Sequence, residues 1–209
     1  MFMKTNQDYK DAALAALKGH WGPAVLLVFV FFCISAVSSL FEPTTASILQ
    51  LAITICVVLP LGVGVYNAFR NLLLGQSDDF VGGAFRIGFN NWQHNVGGML
   101  LMTVYTLLWT LCLIVPGIIK SFSYALTPFI LNERPELSAD EAIELSMKMM
   151  DGHKMDLFLL YLSFIGWYLL ALLTCCIGFL WLVPYIYTAQ AAFYEDVKAE
   201  YESRQDVAA

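Results

Sequence analysis

The chain has 209 residues, of which 59% are hydrophobic, 14% aromatic and 13% charged, about half the charged share of a soluble domain, and its mean hydropathy is +0.66. That balance excludes an ordinary soluble domain. The formal net charge of −6 excludes a nucleic-acid partner, because a polyanion needs a basic patch and none is visible.

The first predicted element is a short amphipathic helix. Thr5 is placed to accept from a free backbone N–H, Asp8 favours the positive helix end, and Gly19 stops the helix. Tyr9, Ala12, Ala13, Ala16 and Leu17 make its apolar stripe. Residues 21–41 are then uncharged and exceed the roughly 20 residues that cross a hydrocarbon core of about 30 Å. Pro43 marks a turn, and residues 43–69 form a second uncharged run that returns. The N-terminal segment carries both signs of charge and the apolar run after it is too long for a signal-peptide core, so no cleaved signal is expected.

The same order recurs twice. Ser77 and Ser138 open the later units as Thr5 opens the first, and fourteen residues after each cap comes a stop: Gly19, Asn91 and Gly152. The middle helix is the weakest, because Gly82, Gly83 and Gly88 disfavour it. The third, capped by Ser138 and Glu141, carries Asp140, Glu141, Glu144 and Asp151 against Lys148 alone, so its apolar stripe is expected to pack on the bundle or on a protein partner rather than on anionic lipid. Each stop is followed 24 to 26 residues later by a turn signal at Pro43, Pro116-Gly117 or Gly178. The 38 uncharged residues 157–194 would make about 57 Å of helix and so hold two spans.

The predicted fold is all-α: a polytopic membrane helix bundle of six transmembrane helices in three hairpins, each preceded by a short amphipathic cytoplasmic helix. The spans are 21–41, 46–69, 95–115, 117–132, 156–175 and 179–195. One membrane domain, 1–209, holds repeats 5–76, 77–137 and 138–197 and a short polar tail, 198–209. Ten of the eleven lysines and arginines then share one side, which makes both termini cytoplasmic in a cell membrane. Lys120 is the exception. It falls one turn beyond Pro116-Gly117, about 5 Å from the outer end, where its ammonium is expected to snorkel outward and to face Glu42.

The stretches LLWTLCLIVPGIIK with the following Ser123-Tyr124 and PFIL, EAIELSMKMMDGHK, DLFLLYLSFIGW and IGFLWLVPYIYTAQAAFYEDV resemble the bacterial membrane proteins of domain-of-unknown-function family 975. That family is similar in pattern to the membrane-embedded, non-catalytic portion of glycerophosphodiester phosphodiesterases. The resemblance implies a bacterial cytoplasmic membrane protein and supplies no catalytic or ligand residue.

The returning spans carry most of the intramembrane polar residues, which suggests that they face one another. Asn67, Arg70, Lys120, Tyr124, Tyr185, Gln190 and Glu195 form the candidate cluster, either as cross-helix structural bonds or as the lining of a polar cavity. Arg70 and Glu195 fall ten and eleven residues after Pro60 and Pro184 and are candidates to pair. Pro60, Pro128 and Pro184 free backbone carbonyls that kink a helix or coordinate a ligand. Cys33, Cys56, Cys112, Cys175 and Cys176 read as buried small hydrophobes. His20, His94 and His153, with Trp21 and Trp92, read as interfacial anchors rather than a metal site.

No enzyme signature is present, so no enzyme and no cofactor are expected. The expected function is a non-catalytic module, a scaffold or lipid- and envelope-interacting protein whose partners are the lipid bilayer and a lipid headgroup or membrane protein. The alternative is a small transporter or channel with a polar cavity between the second, fourth and sixth helices.

Overall fold

A computed structural model describes residues 4–39, 46–76 and 79–208, and these are helical with no strand. The order is α1 (Asn6–Leu17), α2 (Trp21–Ser39), α3 (Ala46–Ile53), a π-helical turn (Thr54–Val58), α4 (Leu59–Leu73), α5 (Phe80–Asn90), α6 (Trp92–Cys112), α7 (Ile114–Ser123), α8 (Thr127–Glu133), α9 (Ala139–Met149), α10 (Lys154–Leu162), α11 (Ile165–Leu173) and α12 (Phe179–Ala208). The cap at Ser77, the turn at Pro43 and the pairing of Glu42 with Lys120 lie outside the described residues.

Four stretches are long and apolar enough to cross a membrane: Gln50–Leu73, Trp92–Cys112, Ile114–Glu133 and Lys154–Leu173. A fifth is reached if α1 and α2, which meet at 99°, count as one broken span. The first sixteen residues of α12, though uncharged, are too rich in Tyr, Thr and Gln to join that set. Residues 198–208, read as a tail, continue α12 as helix.

Local chemistry sets the helix starts. Thr5 Oγ1 accepts from the Asp8 N–H at 3.3 Å while the Asp8 carboxylate accepts from the Thr5 N–H at 2.8 Å, and Ser138 and Glu141 repeat the exchange at 3.3 and 2.7 Å. The bonds from Ser138 hold the Glu141 carboxyl below its ordinary value. Gly19 and Gly152 both sit at φ +88°, a left-handed conformation that only glycine adopts without cost. Asn91 does not follow them. Its φ is −110°, so α5 passes into α6 without a left-handed stop.

The short helices do not lie apart from the bundle. α1 runs along α12, α5 along α4, and α9 packs on α6 and α8. Small residues allow the approach, since van der Waals packing rather than water expulsion drives association inside lipid. A Cβ on Gly64 would lie 1.9 Å from the Ala84 carbonyl oxygen, and one on Gly88 2.6 Å from that of Pro60. Gly88, which weakens α5 as an isolated helix, is thus what lets α5 touch α4. α1 is held by Asp196, which accepts from Tyr9 Oη at 2.8 Å and pairs with Lys4 Nζ at 3.0 Å. Burial opposes ionisation of Asp196, but the bonds from Tyr9 and Lys4 outweigh it and keep the carboxyl below its ordinary value.

Two expected turns move. The α6–α7 reversal occurs at Leu113, which is extended at φ −159° and ψ 133°, and Pro116 lies inside the first turn of α7, where its missing N–H costs nothing. Gly117 serves instead to bring α7 against α6: a Cβ there would meet Thr110 Oγ1 at 2.4 Å. The reversal before α12 is made by Cys175 and Cys176, at φ +51° and +68°, and Gly178 packs on Ala171 and Thr174. The cysteines are not core residues either. All five are exposed on the protein surface, and apolar side chains that face lipid need no protein core around them.

Candidate functional site

The returning helices meet, as their polar bias indicates. α4 packs on α8 and α12 through a run of rings in which Tyr66 meets Phe129 and Tyr187 at 5.5 and 4.6 Å, and Phe129 stacks on Tyr194 at 4.7 Å. Within this seam the α7–α8 span is broken at residues 124–126. Pro128 is the cause: it lacks the N–H that would continue the ladder, and the helix re-forms with Pro128 in its first turn.

A break inside a membrane leaves backbone groups that need partners, and neighbouring side chains supply them. Ser146 of α9 donates to the Ser123 carbonyl at 2.8 Å and accepts from the Leu126 N–H at 3.3 Å. Gln190 of α12 donates to the Ala125 carbonyl at 3.2 Å. Just past the break, Asn67 ties α4 to α8, donating to the Pro128 carbonyl at 2.8 Å and accepting from Asn132 at 3.1 Å. The π-helical turn before α4 is bonded in a similar way. Pro60 has no N–H to give the Cys56 carbonyl four residues earlier, and Trp92 Nε1 takes that carbonyl at 2.8 Å. One hydroxyl in the seam, Thr127 Oγ1, is buried without a partner.

A charged cluster closes the end of the seam. Arg70 donates through Nε to Glu195 and lies 3.3 Å from Glu133 through Nη2. Glu133 also pairs with Lys198 and accepts from the Tyr194 hydroxyl. The Arg70 guanidinium lies 5.3 Å from the Tyr194 ring centroid. Two cations therefore face two carboxylates, and the side chains are only 11% to 28% exposed, so charge balance is a condition of their burial.

The candidate residues divide among separate places. Asn67, Arg70, Gln190 and Glu195 share the seam. Tyr185 stands apart, edge-on to Phe164 at 5.0 Å in an apolar surface groove of about 460 Å³ with Trp21, Trp167 and Trp181. Lys120 and Tyr124 belong to a third place. Lys120 does not point outward from the α6–α7 turn but toward α9, with its Nζ 3.5 Å from Met147 Sδ and 5.2 Å from the Trp109 ring centroid. Aromatic faces and a polarisable sulfur hold an ammonium better than lipid does. Glu133, Lys198, Asn132, Ser146 and Trp92 are the members that the sequence reading missed. The one signal for Ser146 was its place on the buried face of a capped helix.

A cavity of about 280 Å³ does lie beside the break, lined by Tyr66, Ser121, Phe122, Tyr161 and Gln190 among others, none of them charged. The three histidines stay apart from any such chemistry. Among the described residues no group of three His, Cys, Asp or Glu is placed to hold a metal ion, and His153 turns its Nδ1 to Asp156 at 3.3 Å.

A family model described as "Protein of unknown function (DUF975)" matches residues 84–201. That is over half of the chain, and the chain belongs to this family. No curated protein and no solved structure matches it, and no match carries the similarity to the membrane portion of glycerophosphodiester phosphodiesterases.

Proposed function

We propose that this member of the family is a non-catalytic membrane module, a scaffold or lipid- and envelope-interacting protein rather than an enzyme or a carrier. The observation that carries the reading is the state of the helix breaks. In carriers, unwound backbone and intramembrane charges coordinate the cargo. Here the Ser123 and Ala125 carbonyls at the break are taken by Ser146 and Gln190, and Arg70 is neutralised by Glu133 and Glu195. Polar chemistry is spent on holding broken helices together.

The reading includes six crossings in three hairpins, with α12 as the sixth and both termini cytoplasmic. Its support is the set of apolar helices and the fact that such a topology would put ten of the eleven lysines and arginines on one side. The second reading, a small transporter or channel, is favoured by the cavity beside the break, which has Gln190 and Tyr66 in its wall.

Vesicles reconstituted with the full chain discriminate the two. Permeability to protons, potassium ions and small uncharged polar solutes is expected to equal that of protein-free vesicles. A saturable flux that falls in Gln190→Leu, with helix content unchanged, would overturn the module reading and establish the carrier.

A further inference from the structure

Lys120 is a cation outside the seam. It sits in a cavity of about 440 Å³ whose wall includes Tyr105, Trp109, Tyr124, Asp140 and Glu144. Its ammonium lies 5.2 and 5.9 Å from the Trp109 and Tyr124 ring centroids, and among the described residues no carboxylate forms an ion pair with it. Across the same cavity stand two carboxylates. Asp140 accepts from the Tyr105 hydroxyl at 3.0 Å, and Glu144 pairs with the exposed Lys148 at 2.8 Å.

The cavity also lies at a boundary. On the α6–α7 side the residues leading to Lys120, among them Leu111, Leu113, Val115 and Ile119, are exposed and apolar, a surface that suits acyl chains. On the α9 side Asp140 and Glu144 present the charged face of an amphipathic helix. One cation, two acids and three aromatic rings at the edge of an apolar surface are a poor match for a simple anion, which the acids would repel, and for a simple cation, which Lys120 would repel. They match a molecule carrying both charges.

We infer that this cavity binds a zwitterionic phosphodiester bearing a primary amine, the chemistry of an ethanolamine-type phospholipid headgroup. Lys120 receives the phosphate, and Asp140 and Glu144, with the rings of Tyr105 and Trp109, receive the ammonium through charged hydrogen bonds and cation–π contact. The acyl chains of a lipid then follow the exposed face of α6 and α7. The inference rests on the lipid-interacting reading above and names its ligand class.

Native mass spectrometry of the purified full chain, presented with equal amounts of phosphatidylethanolamine and phosphatidylglycerol in mild detergent, tests it. The wild-type protein is expected to retain phosphatidylethanolamine about tenfold more than phosphatidylglycerol, which is a difference of about 1.4 kcal/mol. Lys120→Met is expected to lose that retention, while Asp140→Asn with Glu144→Gln is expected to keep lipid but lose the preference. Competition by soluble glycerophosphoethanolamine identifies a free phosphodiester as the ligand, and its failure to compete identifies the lipid. Equal retention of both lipids by the wild-type protein overturns the site, as does unchanged preference in Lys120→Met. Thermal unfolding of each variant verifies that it is folded, and Lys120→Gln repeats the test if Lys120→Met is not. Such a failure leaves flux through vesicles unchanged, so it is distinct from failure of the module reading.

Discussion

Gly64→Ala is expected to destabilise the protein severely, although it adds one methyl group to a helix and improves its intrinsic propensity. The new Cβ would lie 1.9 Å from the Ala84 carbonyl oxygen, 2.9 Å from its carbon and 3.1 Å from the Gly88 nitrogen. All three are backbone atoms, so no side chain can swing aside, and α5 must move off α4. Overpacking of this kind costs about 1–3 kcal/mol and more where backbone is displaced. Gly62→Ala supplies the control. It lies on the same helix with nothing within 4 Å of the new atom, and it should be neutral or gain up to about 1 kcal/mol. Thermal unfolding in detergent measures both, and equal melting temperatures for the two variants would contradict the close approach of α5 to α4.

Arg70→Met is expected to cost about 3 kcal/mol. The substitution leaves Glu133 and Glu195 facing Lys198 alone, and breaking one partner of a buried pair is far more damaging than removing both. The double variant Arg70→Met with Glu195→Gln leaves Glu133 and Lys198 as a balanced pair and should recover a substantial part of the loss. The sign of that recovery is what separates a structural pair from two independent residues. A double variant no more stable than Arg70→Met would contradict the network. The Tyr194 ring and its hydroxyl bond to Glu133 make a parallel case, since Tyr194→Phe removes only the hydroxyl.

Much of this arrangement is legible where its cause is local. The boxes at Thr5 and Ser138 depend on residues three positions apart, and the left-handed stops at Gly19 and Gly152 depend on one residue each. The approach of Arg70 to Glu195 is legible too, because spacings of ten and eleven residues from Pro60 and Pro184 put the two at about the same level of equivalent helices. Glu133 follows Pro128 by five residues rather than ten or eleven, so the same spacing hides it. The α6–α7 turn is misread because a proline inside the first turn of a helix looks, in sequence, like the turn itself. Lys120 is misplaced for a related reason: its level was counted from Pro116, and nothing in its own neighbourhood announces Met147 or Trp109. Ser146 and Gln190 illustrate the general limit. Each satisfies a carbonyl broken out of another helix, and a bond across 23 or 65 residues leaves no trace in local pattern.

The central claim is that the seam between α4, α8 and α12 is closed to water because its polar groups serve one another. Thiol accessibility in lipid vesicles tests it most directly. Leu126→Cys, in the break, and Thr127→Cys beside it, both fully buried, are introduced singly after the five native cysteines are replaced by alanine. A small charged thiol reagent is then supplied to both faces of the membrane. The account predicts that neither position is labelled until the protein is denatured, while a cysteine at the exposed Asp151 is labelled at once. Rapid labelling of either seam position in the folded protein would contradict the account and reveal a hydrated pathway through the broken helix.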